Sequence, residues 1–122
     1  MSKPAARILV VDDNEALREN LAECLEDEGY EVFTAADGSA ALRHLEHDPL
    51  PDLVLMDLLM PGLDGRALAG AIRSSPRLAR LRLVLVTGRG GKPSGLPVDA
   101  VLTKPFGIAE LLAKLGELLA PS

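Results

Sequence analysis

Three uninterrupted apolar runs of four residues, Ile8-Leu9-Val10-Val11, Leu53-Val54-Leu55-Met56 and Leu83-Val84-Leu85-Val86, constrain this 122-residue chain more than any other feature. A strand with one wet face alternates apolar and polar residues. A continuous run of strand length, bounded by polar residues, reads instead as a strand buried on both faces, and such strands belong to parallel sheets covered by helices. Val32-Phe33 and Ala100-Val101-Leu102 are weaker candidates of the same kind.

Between the runs the period becomes helical. Leu17, Leu21, Cys24 and Leu25 make one stripe, with Asn14 as its N-cap and Gly29 as its stop. Ala41, Leu42 and Leu45 follow Asp37; Leu68, Ala71 and Ile72 follow Asp64. From Phe106 onward, Ile108, Leu111, Leu112, Leu115, Leu118 and Leu119 form a wide apolar face. Alternating strands and helices predict a doubly wound α/β sheet of five parallel strands with right-handed crossovers, as one domain over residues 1–122.

One connection breaks the alternation. The thirteen residues Gly88 to Ala100 hold four glycines (Gly88, Gly90, Gly91, Gly95) and two prolines (Pro93, Pro97). Glycine costs about 1 and proline about 3 kcal/mol at an interior helical position. The expectation is a Gly/Pro loop, with at most one helical turn, where a fourth helix belongs.

Composition narrows the function classes. With 48% hydrophobic and 25% charged residues the chain is globular, which excludes a disordered tail, a collagen-like repeat and a disulfide scaffold. Cys24 is the one cysteine and has no internal disulfide partner, which fits a reducing compartment. No apolar run approaches the ~20 residues that span a bilayer, and MSKPAAR at the start lacks the apolar core of a secretory signal, so a cytoplasmic protein without membrane insertion is expected. The net charge of −5 argues against direct nucleic-acid binding, which rests on many Lys and Arg at phosphates. Fifteen of the eighteen acids lie between Asp12 and Asp64, whereas residues 65–98 hold seven bases and no acid. Solvated helix faces are the main reading of that asymmetry, and a docking surface is the other.

In an open parallel sheet the carboxyl ends of the strands share one rim, where ligand chemistry collects. The residues ending the runs are Asp12-Asp13, Asp57, Thr87 and, just past the fifth, Lys104. Three carboxylates at close quarters repel one another unless a cation intervenes, and all-oxygen ligands suit Mg2+. A divalent ion and the Lys104 ammonium together cancel three negative charges. That arrangement suits phosphoryl transfer, with Asp57 attacking and Thr87 and Lys104 contacting phosphoryl oxygens.

These residues resemble those of response-regulator receiver domains of two-component signalling. The likeness runs through Ile8-Leu9-Val10-Val11-Asp12-Asp13, then Leu55-Met56-Asp57-Leu58-Leu59-Met60-Pro61-Gly62-Leu63-Asp64-Gly65, then Leu85-Val86-Thr87-Gly88 and Thr103-Lys104-Pro105-Phe106. The resemblance implies a flavodoxin-like strand order 2-1-3-4-5. It implies Asp57 as phosphoacceptor, and Asp12, Asp13, Asp57 and the Leu59 carbonyl as the Mg2+ site. It also implies a cis Lys104-Pro105 bond, a phosphohistidine on a histidine kinase or phosphotransfer protein as donor, and an unknown downstream protein as partner. On this reading the chain is a monomer or weak dimer, and no enzyme with a separate substrate, although it catalyses its own phosphorylation and dephosphorylation.

Three departures from that family's pattern stand out. The helix after Thr87 is replaced; Val101 stands where a Tyr or Phe precedes the lysine by three residues; and Gly88 stands where a small Ala is usual. Leu59 and Arg89 sit two residues past Asp57 and Thr87, positions thought to gate attacking water. Output is therefore expected through the Gly88–Ala100 region. The alternative is a receiver-fold docking module that never carries phosphate, and a natural single domain and a piece of a longer regulator both fit the sequence.

Other signals carry less. His44 and His47 lie i, i+3 with no further ligand nearby and read as solvated surface. Cys24, on its apolar stripe, reads as a small core residue. Gly91-Lys92 fails as a P-loop, since Val86 stands where the first glycine is needed and Pro93 follows. Leu59 also replaces the second aspartate that a phosphoaspartate hydrolase of the haloacid-dehalogenase type carries, which argues against a phosphatase acting on a separate substrate.

Overall fold

The computed structural model describes residues 6–88 and 95–120. Its elements run β1 (Arg7–Val11), α1 (Glu15–Asp27), β2 (Glu31–Ala35), α2 (Gly38–His44), β3 (Leu53–Asp57), α3 (Gly65–Ser74), β4 (Arg82–Thr87), β5 (Ala100–Thr103) and α4 (Ile108–Leu119). The five strands form one parallel sheet in the order β2-β1-β3-β4-β5. Among the described residues no helix lies between β4 and β5, and none is long and apolar enough to cross a membrane.

The continuous apolar runs are explained by the two faces they serve. Leu9, Val11, Val54, Met56, Leu83 and Leu85 pack toward α2 and α3, against Ala41, Leu45, Leu68 and Ile72. Their neighbours Ile8, Val10, Leu53, Leu55, Val84 and Val86 pack toward α1 and α4, against Leu25, Leu111 and Leu115. Successive side chains point to opposite faces, so a strand buried on both sides has no polar position to spare.

Local chemistry sets the helix starts. The side chains of Asn14, Asp37 and Asp64 accept from the backbone N–H groups of Leu17, Ala40 and Ala67, capping α1, α2 and α3. Gly29 ends the first crossover at φ +99°, where a side chain would be strained. The last helix begins at Ile108 behind Gly107, two residues later than the apolar pattern suggests.

Arg73 of α3 ties down the far end of the β4–β5 connection. Its guanidinium donates to the carbonyls of Pro97 at 2.9 Å, Ala79 at 2.9 Å and Leu81 at 2.7 Å, and to Asp99 Oδ2 at 3.0 Å. Asp99 in turn accepts from the Leu83 N–H at 2.7 Å, so the latch joins the connector to the start of β4. Leu96, Val98 and Val101 pack against the α2/α3 cluster. The Gly/Pro loop expectation holds for Gly88 and Gly95 to Asp99, while Arg89, Gly90, Gly91, Lys92, Pro93 and Ser94 lie outside the described residues.

Two expectations are corrected. Cys24 is exposed: of the α1 stripe only Leu25 is fully buried, Leu21 is half-buried against the core and Leu17 is left 42% exposed. His44 is half-buried, its ring 5.0 Å from that of Phe33, whereas His47 is exposed as expected.

At Gly65 the first turn of α3 presses on β3. A Cβ there would lie 2.5 Å from the Asp57 carbonyl oxygen and 2.9 Å from the Leu58 Cα. Gly65→Ala is predicted to lower stability by about 2 kcal/mol, the usual cost of overpacking against backbone, read as a fall in the urea midpoint. An unchanged midpoint would show that β3 yields there freely.

Candidate functional site

The strand ends bring five side chains to one rim. Asp12 and Asp13 follow β1, Asp57 ends β3, Thr87 ends β4 and Lys104 follows β5. Parallel pairing sets their level, since Asp57 lies beside Val86 and Thr87 beside Thr103. Carboxylate oxygens of Asp12, Asp13 and Asp57 all fall within 4.8 Å of one another. Lys104 Nζ donates to Asp57 Oδ2 at 3.2 Å, and its backbone N–H to the Thr87 carbonyl at 2.8 Å. The Lys104-Pro105 peptide is cis.

Burial differs along the cluster. Asp12 is buried, Asp13 exposed and Asp57 between the two. Thr87 is 1% exposed, and its Oγ1 is the one buried side-chain polar atom without a hydrogen-bond partner among the described residues. An orphaned buried hydroxyl costs roughly 1–3 kcal/mol, so its place beside the carboxylates calls for a further polar group.

Asp12 bears the electrostatic strain. Burial pushes its carboxyl above the ordinary value of 3.8, and the charges of Asp57 and Asp13 add to that push; the Asn14 N–H and the Lys104 ammonium oppose it. The Asn14 N–H bonds Asp12 Oδ1 at 2.9 Å, and Arg18 Nη1 holds the Asp12 carbonyl at 2.9 Å. Sequence reasoning missed Arg18, whose signal was the lone base near the start of an acidic helix.

The donor set fits a hard divalent cation. Three carboxylates converge with one ammonium to balance them, leaving net negative charge for an ion such as Mg2+ to neutralise, and oxygen donors are what that ion prefers. Leu59, whose carbonyl the receiver-domain resemblance implies as a metal ligand, carries a side chain 73% exposed beside this rim. Among the described residues nothing lies within 4 Å of where a Cβ at Gly88 would stand.

An apolar cleft adjoins the rim. Its volume is about 560 Å³, and Leu17, Leu21 and Cys24 of α1 line it together with Phe106, Asp57 and Lys104. The sequence signal for it is the α1 stripe, of which Cys24 reads as a core residue.

A family model described as response regulator receiver domain matches residues 8–116. The response regulator PleD of Caulobacter vibrioides is 42% identical over 119 residues, covering 93% of this chain and 26% of its own length. The chain spans between a quarter and about half the length of such curated relatives. Among solved structures, a putative response regulator from Chloroflexus aurantiacus superposes with a TM-score of 0.89 at 32% identity, covering 96% of this chain and 99% of that one. The response regulator protein TrrA of Thermotoga maritima, in complex with Mg2+ and BeF, gives 0.83 at 38% identity, covering 93% and 99%.

The raised Asp12 carboxyl gives a signed expectation. A carboxyl whose folded value lies above its unfolded one has its cost absent below 3.8 and fully present once the pH has risen through the folded value. Asp12→Asn is therefore predicted to raise the melting temperature of metal-free protein at pH 7, with the gain fading in acid. A lower melting temperature at pH 7 would contradict it.

Proposed function

The chain belongs to the response regulator receiver domain family, and on that premise we propose that it accepts a phosphoryl group on Asp57 from a phosphohistidine of a histidine kinase or phosphotransfer protein. The carrying observation is the convergence of Asp12, Asp13 and Asp57 with Lys104 Nζ 3.2 Å from Asp57, at the rim where the buried Thr87 hydroxyl has no partner among the described residues.

In this reading Asp13, Asp57 and the Leu59 carbonyl ligate Mg2+, with Asp12 completing the acidic pocket. The ion supplies charge neutralisation for the transferring oxygens. Asp57 presents a carboxylate oxygen to phosphorus, and its phosphoryl bond forms as the bond to the donor nitrogen breaks. Lys104 shifts its ammonium from the carboxylate to a phosphoryl oxygen, and Thr87 donates to another, which satisfies the buried hydroxyl. The protein acts on itself in the cytoplasm, as a monomer or weak dimer, with no separate substrate.

The readout runs through the Gly88–Ala100 region to a downstream protein. Val101 stands on β5 where an aromatic would move with Thr87, so that route is closed. The connector instead leaves directly from Thr87, and its far end is held by Arg73 through Pro97 and Asp99. A segment tethered at one end and joined to the phosphate-sensing residue at the other can change its order without moving the sheet.

Incubation with acetyl phosphate and Mg2+ is predicted to add one phosphoryl group by intact mass. The adduct should be absent in Asp57→Ala and after chelation, and should form about a hundredfold more slowly in Lys104→Ala, in line with the loss of one charge-stabilising donor. No adduct from either acetyl phosphate or a phosphohistidine donor would favour the docking-module alternative. Amide exchange with and without a phosphoryl mimic is predicted to differ within residues 87–101. Identical exchange there would refute output through the connector.

A further inference from the structure

The apolar cleft and the phosphoacceptor rim are one continuous space, for Asp57 and Lys104 line the same cavity as Leu17, Leu21, Cys24 and Phe106. Its volume of about 560 Å³ lies within the range of small-molecule sites, roughly 300–1,000 Å³, which are mostly apolar with a few polar groups converging at one place. Here the polar groups are those that handle phosphate. Along α1 only Leu25 is fully buried, and Leu17 remains 42% exposed on the apolar stripe, so the helix offers a greasy wall that the fold itself does not cover.

Resting on the assignment of Asp57 as phosphoacceptor, we propose that this cleft receives the apolar acyl group of a small phosphodonor, making the protein selective for aromatic or branched acyl phosphates over acetyl phosphate. A donor whose phosphorus meets Asp57 has its acyl group within reach of the same cavity. An Asp57 carboxylate oxygen bonds to phosphorus while the bond from phosphorus to the acyl oxygen breaks. The electron pair leaves with the acyl carboxylate, and no proton is transferred. A phenyl ring offers that α1 wall far more apolar surface than the methyl group of acetate does. Binding energy gained on that non-reacting part accelerates the transfer when it helps hold the reacting atoms in line.

The test compares benzoyl phosphate with acetyl phosphate, each with Mg2+, by the initial rate of the intact-mass adduct. The same rate ratio is measured in Cys24→Phe, which fills the cleft, and in Leu17→Gln, which removes an apolar wall; both positions are exposed, and circular dichroism checks each fold. Comparing ratios between proteins cancels the donors' intrinsic reactivities. The ratio in the unmodified protein should exceed that in both variants by about tenfold, the value of burying about two methylene equivalents. Unreactive benzoate should also shift the methyl resonances of Leu17 and Leu21. Equal ratios in the three proteins, or unshifted methyls, would overturn the proposal while labelling by acetyl phosphate left the phosphoacceptor reading standing. Labelling by neither donor would overturn both.

Discussion

Like charges held together against their repulsion are the constraint on which this molecule turns. Three carboxylates within 4.8 Å, one of them buried and pushed toward its protonated form, are costly in any fold. The sheet enforces the arrangement. Parallel pairing brings the ends of β1 and β3 side by side and stacks Lys104 after β5 within 3.2 Å of Asp57. Removing any of these strands from register would disperse the charges, and a one-residue slip would turn each apolar residue to the other face. Core packing and site geometry are thus one requirement.

In the β4–β5 connection the described residues 95–99 hold the entry of the fifth strand without helical structure of their own. A fourth helix would bury apolar area on the α2/α3 side of the sheet. Leu96, Val98 and Val101 supply part of that cover, and the remaining order comes from a polar device. Arg73 gathers three carbonyls and the Asp99 carboxylate, and Asp99 closes the edge of β4 through Leu83. A guanidinium suits this role because its planar fork carries five donors. The latch lies at the entry of β5, opposite the end where Thr87 and Lys104 meet, so the anchored and reactive ends of the connection are separate.

Much of this was legible in the residues themselves. Continuous apolar runs gave the buried strands; Asn14, Asp37 and Asp64 gave the helix starts; and the acids, alcohol and amine that end the runs gave the rim. These signals are local, and each rests on residues a few positions apart. The Arg73–Asp99 latch was not legible, because its partners are 26 residues apart and neither residue type specifies the other. The exposure of Cys24 and Leu17 escaped for a related reason. Periodicity says which side of α1 is apolar, but how far α4 covers it depends on where two distant helices sit on the sheet. His44 likewise joined Phe33 through a strand–helix contact that spacing does not encode.

On the proposed function, one cation and one phosphoryl group complete the charge balance among Asp12, Asp13, Asp57, Thr87 and Lys104. A crystal structure of the protein grown with Mg2+ and beryllium fluoride tests it most directly. Expected are an ion bound to oxygens of Asp13 and Asp57, beryllofluoride on an Asp57 oxygen, and both Thr87 Oγ1 and Lys104 Nζ within hydrogen-bond distance of its fluorines. An Asp57 still paired to Lys104 with no ion beside it, or beryllofluoride bound elsewhere, would contradict the account.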